Sequence, residues 1–426
     1  MENPINIFLC ERIPSENRGE AAILEGMVEG LKQTFGKFSL TIYSMRLKQD
    51  HEYYGEFGTV IGFDYSEGVT PSLVDRFKRY AFSIKLLLNG LVKKYLNHNL
   101  VFSDELFSAF STANIIFQGH DNVYRNKIKL KDALVVFYAK QHEKKVMIPG
   151  ASIGPFKTMS FFHKKIVTYV LTNSDLITLR DKQSEKYVKS IGITRKCYSL
   201  TDIAFLLKPS EVAIPWEMKD MVIGFTPTEY VFQELTGVNQ HETSIEYVTN
   251  EVCNYLIWLS KEFNAKIILI PHVYGPEKKQ DDRLLTDKIF QRCKEMDQKA
   301  DFHNLNEREY KASELKYLFG QLDLLIGCRT HTIIGALGML TPVIAFTDPH
   351  RYKTNGIVGD LFELEQCLYN VQTWDINVLK KITRTIIKDY TKITNSIESK
   401  LPRTKQLALE NFLLLKKVII ENNLNQ

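Results

Sequence analysis

Two basic side chains, two positions apart, are the sharpest chemical feature of this sequence. Arg329 and His331 follow the apolar run Leu322–Gly327 and stand at the predicted start of a helix. Backbone N–H groups at a helix start, together with a guanidinium, bind phosphate and carboxylate groups. Residues two apart in extended chain also project to the same side. We therefore predict an anion site with two catalytic candidates; the alternative is that Arg329 pairs with a carboxylate and His331 caps the helix.

Two further loops follow strands in the same half of the chain. Lys353 comes after the next predicted strand and should add a positive charge at the same sheet edge, although basic loops are often only solvated. His272, after the predicted strand Lys266–Ile270, is a substrate-binding candidate. Asp281 and Asp282 match no zinc spacing and are interpreted as the acidic first turn of a helix. We therefore expect no metal site here.

The first half of the chain carries comparable strand-to-helix turns. They lack the spaced glycines of a dinucleotide fingerprint, so bound NAD is not expected. Arg180 either reaches a ligand or bridges to its neighbour Asp181. Further substrate-binding candidates in these turns are Asn17, Gly19, Glu20, Gly119 and Asp121.

Short apolar runs alternate with segments of helical period, which is typical of βαβ units. We predict an α/β fold with two Rossmann-like doubly wound domains, residues 1–210 and 220–370, joined by a polar, proline-bearing linker and facing a cleft. Residues 375–426 are predicted to form a helical tail, broken at Pro402, that packs back on the body.

Composition excludes several classes of protein. The formal charge of +5 over 426 residues, without a dominant basic stripe, argues against nucleic-acid binding. No apolar run approaches the ~18 residues of a membrane span. The first residues lack a signal-peptide pattern, and the scattered cysteines are typical of reduced thiols. We expect a cytoplasmic protein; oligomeric state is not readable.

One segment, residues 75–95, has both an apolar stripe and a run of basic residues. The stripe comprises Phe77, Tyr80, Ile84, Leu87, Leu88, Leu91 and Tyr95. A basic amphipathic helix can lie on an anionic membrane surface. The hypothesis is peripheral contact with the inner membrane face; the alternative is that this helix covers its own sheet.

Read in order, these motifs resemble the polysaccharide pyruvyl transferase family, over roughly residues 5–361. The resemblance is carried by Asn17-x-Gly19-Glu20-x-Ala22-Ile23, Gly119, Ser152-Ile-Gly154-Pro155, Arg180-Asp181-x-x-Ser184, Asp202-x-Ala204-Phe205, Pro271-His272, Arg329-x-His331 and Lys353-x-x-Gly356. The chain departs from the family pattern at Gln118–Asp121, where glycines are more usual, and at Glu20, where Asp is more usual.

The resemblance implies a fold similar to the two-domain glycosyltransferase architecture called GT-B. It also implies an enzyme of cell-surface polysaccharide biosynthesis that transfers pyruvate from phosphoenolpyruvate to sugar hydroxyls as a ketal. Phosphoenolpyruvate is then a co-substrate and no cofactor is needed. The acceptor is a sugar or a lipid-linked oligosaccharide. The alternatives are a GT-B glycosyltransferase using a nucleotide sugar and a non-catalytic glycan-binding relative.

Overall fold

The computed structural model of the chain divides into two compact units. It describes residues 4–63, 73–124, 128–156, 159–194, 197–229, 231, 245–275 and 280–423. Unit 1 comprises Met1–Ser15, Ile23–Leu206 and Gln406–Gln426, and unit 2 comprises Glu16–Ala22 and Leu207–Lys405. Residues 16–22, predicted to lie in the first domain, belong to unit 2, and the last part of the predicted tail, residues 406–426, belongs to unit 1.

Unit 1 is built on a parallel sheet with the strand order β3-β2-β1-β4-β6-β7-β8, and β5 pairs with β6. Its strands are β1 (Ile5–Leu9), β2 (Phe38–Ser44), β3 (Thr59–Gly62), β4 (Ile115–Phe117), β5 (Asn122–Val123), β6 (Lys145–Ile153), β7 (Leu176–Leu179) and β8 (Cys197–Ser199). The central strands are mostly apolar and almost entirely buried, as expected for a parallel sheet whose two faces are both covered by helices.

The helices of unit 1 connect these strands in the order expected for βαβ units. They are α1 (Arg18–Phe35), α2 (Leu47–Tyr54), α3 (Leu73–Leu96), α4 (Glu105–Thr112), α5 (Leu130–Gln141), α6 (Phe161–Asn173) and α7 (Lys182–Ser190). Helix α1 contributes its first residues to unit 2. No helix in the described ranges is long and apolar enough to cross a membrane.

Unit 2 has a second parallel sheet with the order β11-β10-β9-β12-β13-β14. Its strands are β9 (Val222–Thr226), β10 (Lys266–Leu269), β11 (Phe302–Asn304), β12 (Leu324–Gly327), β13 (Val343–Thr347) and β14 (Leu368–Asn370). Its helices are α8 (Ile245–Glu262), α9 (Asp282–Met296), α10 (Ala312–Phe319), α11 (Thr330–Leu337), α12 (Tyr352–Asn355) and α13 (Ile376–Lys388). The doubly wound α/β prediction is confirmed.

The C-terminal tail ends in one long helix, α14 (Tyr390–Asn423). The predicted break at Pro402 is wrong: Pro402 lies inside α14, and the helical stretches separate at Asp389, which caps α13. A proline removes one helical hydrogen bond, but buried apolar residues continue on both sides of it, from Ile397 to Ala408, and hold the helix together. In unit 1, Phe412 packs on α1, where a Cβ at Gly30 would meet its ring at 2.2 Å.

Candidate active site

Arg329 stands where strand β12 passes into helix α11. It is the N-cap residue of α11, with extended backbone angles, and its side chain does not cap the helix. The guanidinium instead makes a bidentate pair with Asp282: Nε donates to Oδ2 at 2.8 Å and Nη2 to Oδ1 at 2.6 Å. A two-point bond of this kind fixes the plane of the guanidinium as well as its position.

Asp282 is itself held firmly, at the first position of helix α9. Its Oδ2 accepts hydrogen bonds from the backbone N–H groups of His272 at 3.3 Å and Val273 at 2.9 Å. Burial raises the pKa of this carboxyl, and the neighbouring guanidinium of Arg329 opposes the rise. The preceding residue, Asp281, caps α9 by accepting from the N–H of Arg283, so both acids lie at a helix start as predicted.

One edge of the Arg329 guanidinium stays open. In the described part of the chain, Nη1 of Arg329 donates no hydrogen bond, while Nε and Nη2 are both committed to Asp282. The side chain is 26% exposed, against 2% for its carboxylate partner. The pairing that the sequence left as an alternative is therefore present, and it leaves a fixed donor available to an anion.

His331 occupies the first turn of α11, and the segment 16–22 packs against it. A Cβ built on Gly19 would lie 2.5 Å from Nδ1 of His331 and 2.9 Å from Cγ. Such contacts are far inside the van der Waals limit, so any side chain at position 19 would displace the imidazole. The glycine of the Asn17-x-Gly19-Glu20 motif is thus required by the position of a candidate catalytic group.

The same segment is joined to the loop after β10 by backbone hydrogen bonds. The N–H of Arg18 donates to the carbonyl of His272 at 3.2 Å, and the N–H of Tyr274 donates to the carbonyl of Glu16 at 2.9 Å. Asn17 forms an antiparallel bridge with Val273. The placement of this motif in the first domain is therefore corrected: strand-like pairing attaches it to unit 2.

Within the motif, Asn17 and Glu20 bond to each other. Nδ2 of Asn17 donates to Oε1 of Glu20 at 2.9 Å, and its Oδ1 accepts from the N–H of Gly19 at 3.1 Å. These bonds order the start of α1 around the position that His331 needs.

Sequence reasoning missed Arg18, whose side chain joins the segment 16–22 to residues 309 and 310 of unit 2. Its side chain is buried, and its guanidinium donates to the carbonyl of Tyr310 and pairs with Glu309 at 3.2 Å. The guanidinium also lies 4.6 Å from the ring centroid of Tyr274. A charged residue inside a glycine-bearing turn was a visible signal in the sequence. Its hydrogen-bonding partners Glu309 and Tyr310, however, lie almost 300 positions away and could not be predicted from it.

His272 lies in the same unit but is buried. Its ring stacks on Phe319 at a centroid distance of 6.3 Å and an angle of 24°. Burial lowers the pKa of this imidazole well below its usual value, and the positive charges of Arg329, His331 and Arg18 lower it further. His272 is therefore neutral, and this packing does not present it as an anion-binding charge.

Lys353 belongs to α12, a short helix that packs on the start of α11. The hydroxyls of Thr354 and Thr330 lie 2.8 Å apart, which brings the residues around position 353 to the neighbourhood of Arg329. A second residue there was missed: Nη1 of Arg351 donates to the carbonyl of Cys328 at 2.9 Å, and its Nε lies 3.1 Å from Asp348. Arg351 holds the β12 end in place while adding positive charge.

Arg180, in unit 1, has a different environment from the one predicted. Its Nε donates to Oγ of Ser152 at 2.9 Å, its Nη1 to Asp202 at 2.6 Å, and its Nη2 to Asp121. Burial alone would lower the pKa of Arg180, but the two carboxylates raise it above the usual value. All three nitrogens of the Arg180 guanidinium are engaged within unit 1; contact of Arg180 with a ligand stays a prediction.

Asp121 and Gly119 belong to the loop after β4. Gly119 has a φ of +86°, which a residue with a side chain rarely adopts, and a Cβ there would meet Val123 at 2.7 Å. Asp121 has a φ of +49° and directs its carboxylate to Arg180. The loop geometry therefore serves the Arg180 network; ligand binding by these residues stays a prediction.

The carboxyl edge of the unit 1 sheet holds an ionisable cluster that the sequence did not reveal. Nζ of Lys131 donates to the carbonyl of Cys10 at 3.2 Å, and Lys129 lies 3.6 Å from Glu11. Burial and then the charge of Glu11 raise the pKa of Asp132 to about 6. Oδ2 of Asp132 accepts a hydrogen bond from the N–H of Lys129 at 3.0 Å, so this carboxylate also caps the start of α5.

Two doubly wound parallel sheets followed by a C-terminal helix define an α/β protein with the GT-B fold. Solved structures with this fold include the UDP-GlcNAc 2-epimerase of Neisseria meningitidis bound to UDP-GlcNAc, with a TM-score of 0.59, 10% identity and 99% of each chain covered. A putative 2-epimerase of Listeria monocytogenes gives 0.60 at 13% identity, over 99% of this chain and 98% of that one. Anabaena HepE, in complex with UDP and glucose, gives 0.52 at 12%, over 99% and 100%.

The family is given by the sequence. The model of the polysaccharide pyruvyl transferase family matches residues 17–350, most of the chain, so this protein belongs to that family. The match begins at Asn17 and includes Arg329 and His331. A search of curated proteins found no match.

Proposed function

We propose that the protein transfers pyruvate from phosphoenolpyruvate to two hydroxyls of a sugar, forming a cyclic ketal and releasing phosphate. The observation that carries this proposal is the Arg329 guanidinium, which Asp282 orients with one edge open, next to His331 at a helix start. Membership of the pyruvyl transferase family supports the reaction class.

The donor carries a carboxylate and a phosphate, so its site needs fixed donors and positive charge. Nη1 of Arg329 and the N–H groups of the first turn of α11 supply directed donors. Lys353 on the adjacent α12 is our candidate for the second charge. Protein cations can carry the phosphate charge in this scheme, and we expect no cofactor.

The reaction begins with protonation of the methylene carbon of phosphoenolpyruvate, which becomes the methyl group. C2 is then electrophilic, and the first sugar hydroxyl adds there and gives up its proton. Phosphate leaves with the electrons of its bond to C2, and the second hydroxyl adds in its place. The second hydroxyl proton leaves with the phosphate, so atoms and charges balance.

His331 is the proposed acid. Its imidazole can deliver a proton to the methylene carbon and recover one from the attacking hydroxyl. Gly19 keeps the imidazole in place by leaving room for it. His272, buried and neutral, is better suited to packing than to this step.

We assign the acceptor to the carboxyl edge of the unit 1 sheet, where Glu11, Lys131 and Asp132 cluster. Sugar hydroxyls are bound by mixed donors and acceptors, and this cluster offers both. The sugar and its linkage are open, and a lipid-linked oligosaccharide is one candidate.

The test is incubation with phosphoenolpyruvate and a panel of acceptors, with release of phosphate as the readout. His331→Asn should keep donor binding, measured by thermal protection, while turnover falls by roughly 10²–10⁴-fold, because an amide can hydrogen-bond but cannot deliver a proton. A variant with nearly wild-type turnover would move the acid role to another residue, with Lys353 the next to test.

A nucleotide-sugar transferase is the second candidate, because solved structures with this fold are bound to UDP or UDP-GlcNAc. The two candidates separate by thermal protection, since a ligand stabilises the state that binds it. Protection by phosphoenolpyruvate but not by UDP-sugars supports pyruvyl transfer. The opposite pattern overturns it.

A further inference from the structure

The outward face of helix α3 in unit 1 is apolar. Phe77, Tyr80 and Tyr95 are 71%, 69% and 70% exposed, and Ile84 and Leu88 between them are also exposed. These residues recur every three or four positions, so they form one stripe along a helix of 24 residues, about 36 Å long at 1.5 Å per residue. Monomeric proteins rarely expose a continuous apolar stripe of this length.

A different set of residues attaches α3 to its own unit. Phe82 and Leu86 are buried in the unit 1 core. Nδ2 of Asn89 donates to the carbonyl of Leu100 at 2.6 Å, and a Cβ at Gly90 would lie 2.6 Å from the ring of Phe137. The inward face is therefore already satisfied, and packing against the sheet does not account for the outward stripe.

Basic residues flank the stripe. Nζ of Lys94 lies 5.1 Å from the ring centroid of Tyr95, Lys93 is in the same last turn, and Lys85 pairs with Asp104. The sequence adds Arg76, Lys78 and Arg79, and no acidic residue occurs from position 77 to position 103. Exposed rings and aliphatic groups are thus accompanied along α3 by basic residues, one of which, Lys85, is paired with an acid, Asp104.

The same combination recurs at the start of helix α6. Phe161 and Phe162 are exposed, Lys164 and Lys165 follow them, and Nζ of Lys165 lies 5.3 Å from the ring of Phe161. Helix α6 packs on α5, which packs on α3. Unit 1 therefore carries two basic-aromatic features on connected helices.

We propose that α3 docks unit 1 on an anionic phospholipid surface, lying in the plane of the interface. The apolar stripe would enter the boundary between headgroups and acyl chains, and the lysines would contact the phosphates. Charge argues for this occupant over a second copy of the chain, because a symmetric contact would bring two basic faces together. The proposal is independent of the reaction, although it would place the enzyme where lipid-linked acceptors are found.

The test is vesicle flotation of the full chain with anionic and with zwitterionic phospholipid vesicles. The wild type should float with the anionic vesicles at low salt and be released at about 1 M salt, where the Debye length is about 3 Å. It should remain in the aqueous fraction with zwitterionic vesicles. Failure to float with anionic vesicles at low salt, or equal binding to both, overturns the proposal.

Three variants localise the contact. Tyr80→Ser/Ile84→Ser/Leu88→Ser removes the three central residues of the stripe without touching the buried face, and Lys93→Glu/Lys94→Glu reverses two charges beside it. The matched control, Lys388→Glu/Lys392→Glu, makes the same charge change at exposed positions of unit 2.

Either α3 variant should lower vesicle-bound protein at least ~10-fold, while the control binds like the wild type and all melt alike. Equal loss in the control overturns the assignment to α3. Sedimentation of the same proteins without lipid gives a further check: a wild-type dimer that the stripe variant converts to monomer would mean the face covers another copy, which also overturns it.

Discussion

Arg180 and Arg329 occupy similar local positions in the two units, each between the end of a parallel strand and the start of a helix, although β7 and β12 hold different places in the strand orders of their sheets. Arg180 meets two carboxylates, Asp121 and Asp202, and its side chain is 2% exposed. Arg329 meets one, Asp282, and remains a quarter exposed. The difference lies in how many acids the neighbouring strand ends deliver. Two buried carboxylates and a hydroxyl engage every nitrogen of Arg180, which favours a structural role, whereas one carboxylate orients Arg329 and leaves one edge for a ligand.

The largest effect is expected from truncating Arg180, which tests whether this arginine is structural. Arg180→Met should destabilise the protein by ~3–5 kcal/mol, because it leaves two buried carboxylates without their partner. Urea unfolding measures the loss, and Arg308→Met, at an exposed ion pair, is the control with little expected effect. If the variant has normal stability but no longer binds phosphoenolpyruvate, Arg180 has a role in donor binding and the structural interpretation is wrong.

The corresponding change in unit 2 is Arg329→Lys, which keeps the positive charge but loses the planar guanidinium with its several fixed N–H donors. We expect kcat/KM to fall by about 10²-fold, since one ammonium cannot both pair with Asp282 and present a directed donor to the substrate. The unfolding free energy should change less than in Arg180→Met, because Asp282 keeps two backbone N–H partners. The comparison fails if the order of the two stability losses is reversed.

The smallest effect tests whether Asp282 positions Arg329. Asp282→Asn should raise KM for phosphoenolpyruvate by roughly 10-fold with a smaller change in kcat, because the guanidinium stays charged but loses its fixed plane. Asp281→Asn, which alters the cap of α9 and the ion pair with Arg283 but leaves Asp282 in place, is the matched control. If both variants raise KM to the same extent, the cause is disruption of the start of α9, and Asp282 has no specific role in positioning Arg329.

Much of the fold was readable from the sequence. The apolar runs at Ile5–Leu9 and Leu324–Gly327 are parallel strands because strands covered on both faces are apolar throughout. Helix α2 and strand β3 were missed, since Leu47–Tyr54 is largely polar and Thr59–Gly62 is short. Pro402 was overweighted, because a local rule about proline cannot include the packing that keeps α14 continuous.

Helix α3 shows most directly what hydrophobic periodicity in a sequence cannot predict. Periodicity identified the stripe from Phe77 to Tyr95, but this helix has a second apolar set in Phe82 and Leu86. Hydrophobic period alone cannot say which of two faces turns inward. The structure places Phe82 and Leu86 in the core and leaves the stripe exposed.

The sequence by itself determined the class of fold, the family and the strand-to-helix position of Arg329 and His331, because these depend on residues close together in the chain. Only the tertiary structure decided what surrounds them. Asp282 reaches Arg329 across 47 positions, and Gly19 meets His331 across more than 300. Partners so far apart are chosen by which strand ends meet at a sheet edge, and that is settled when the whole core packs.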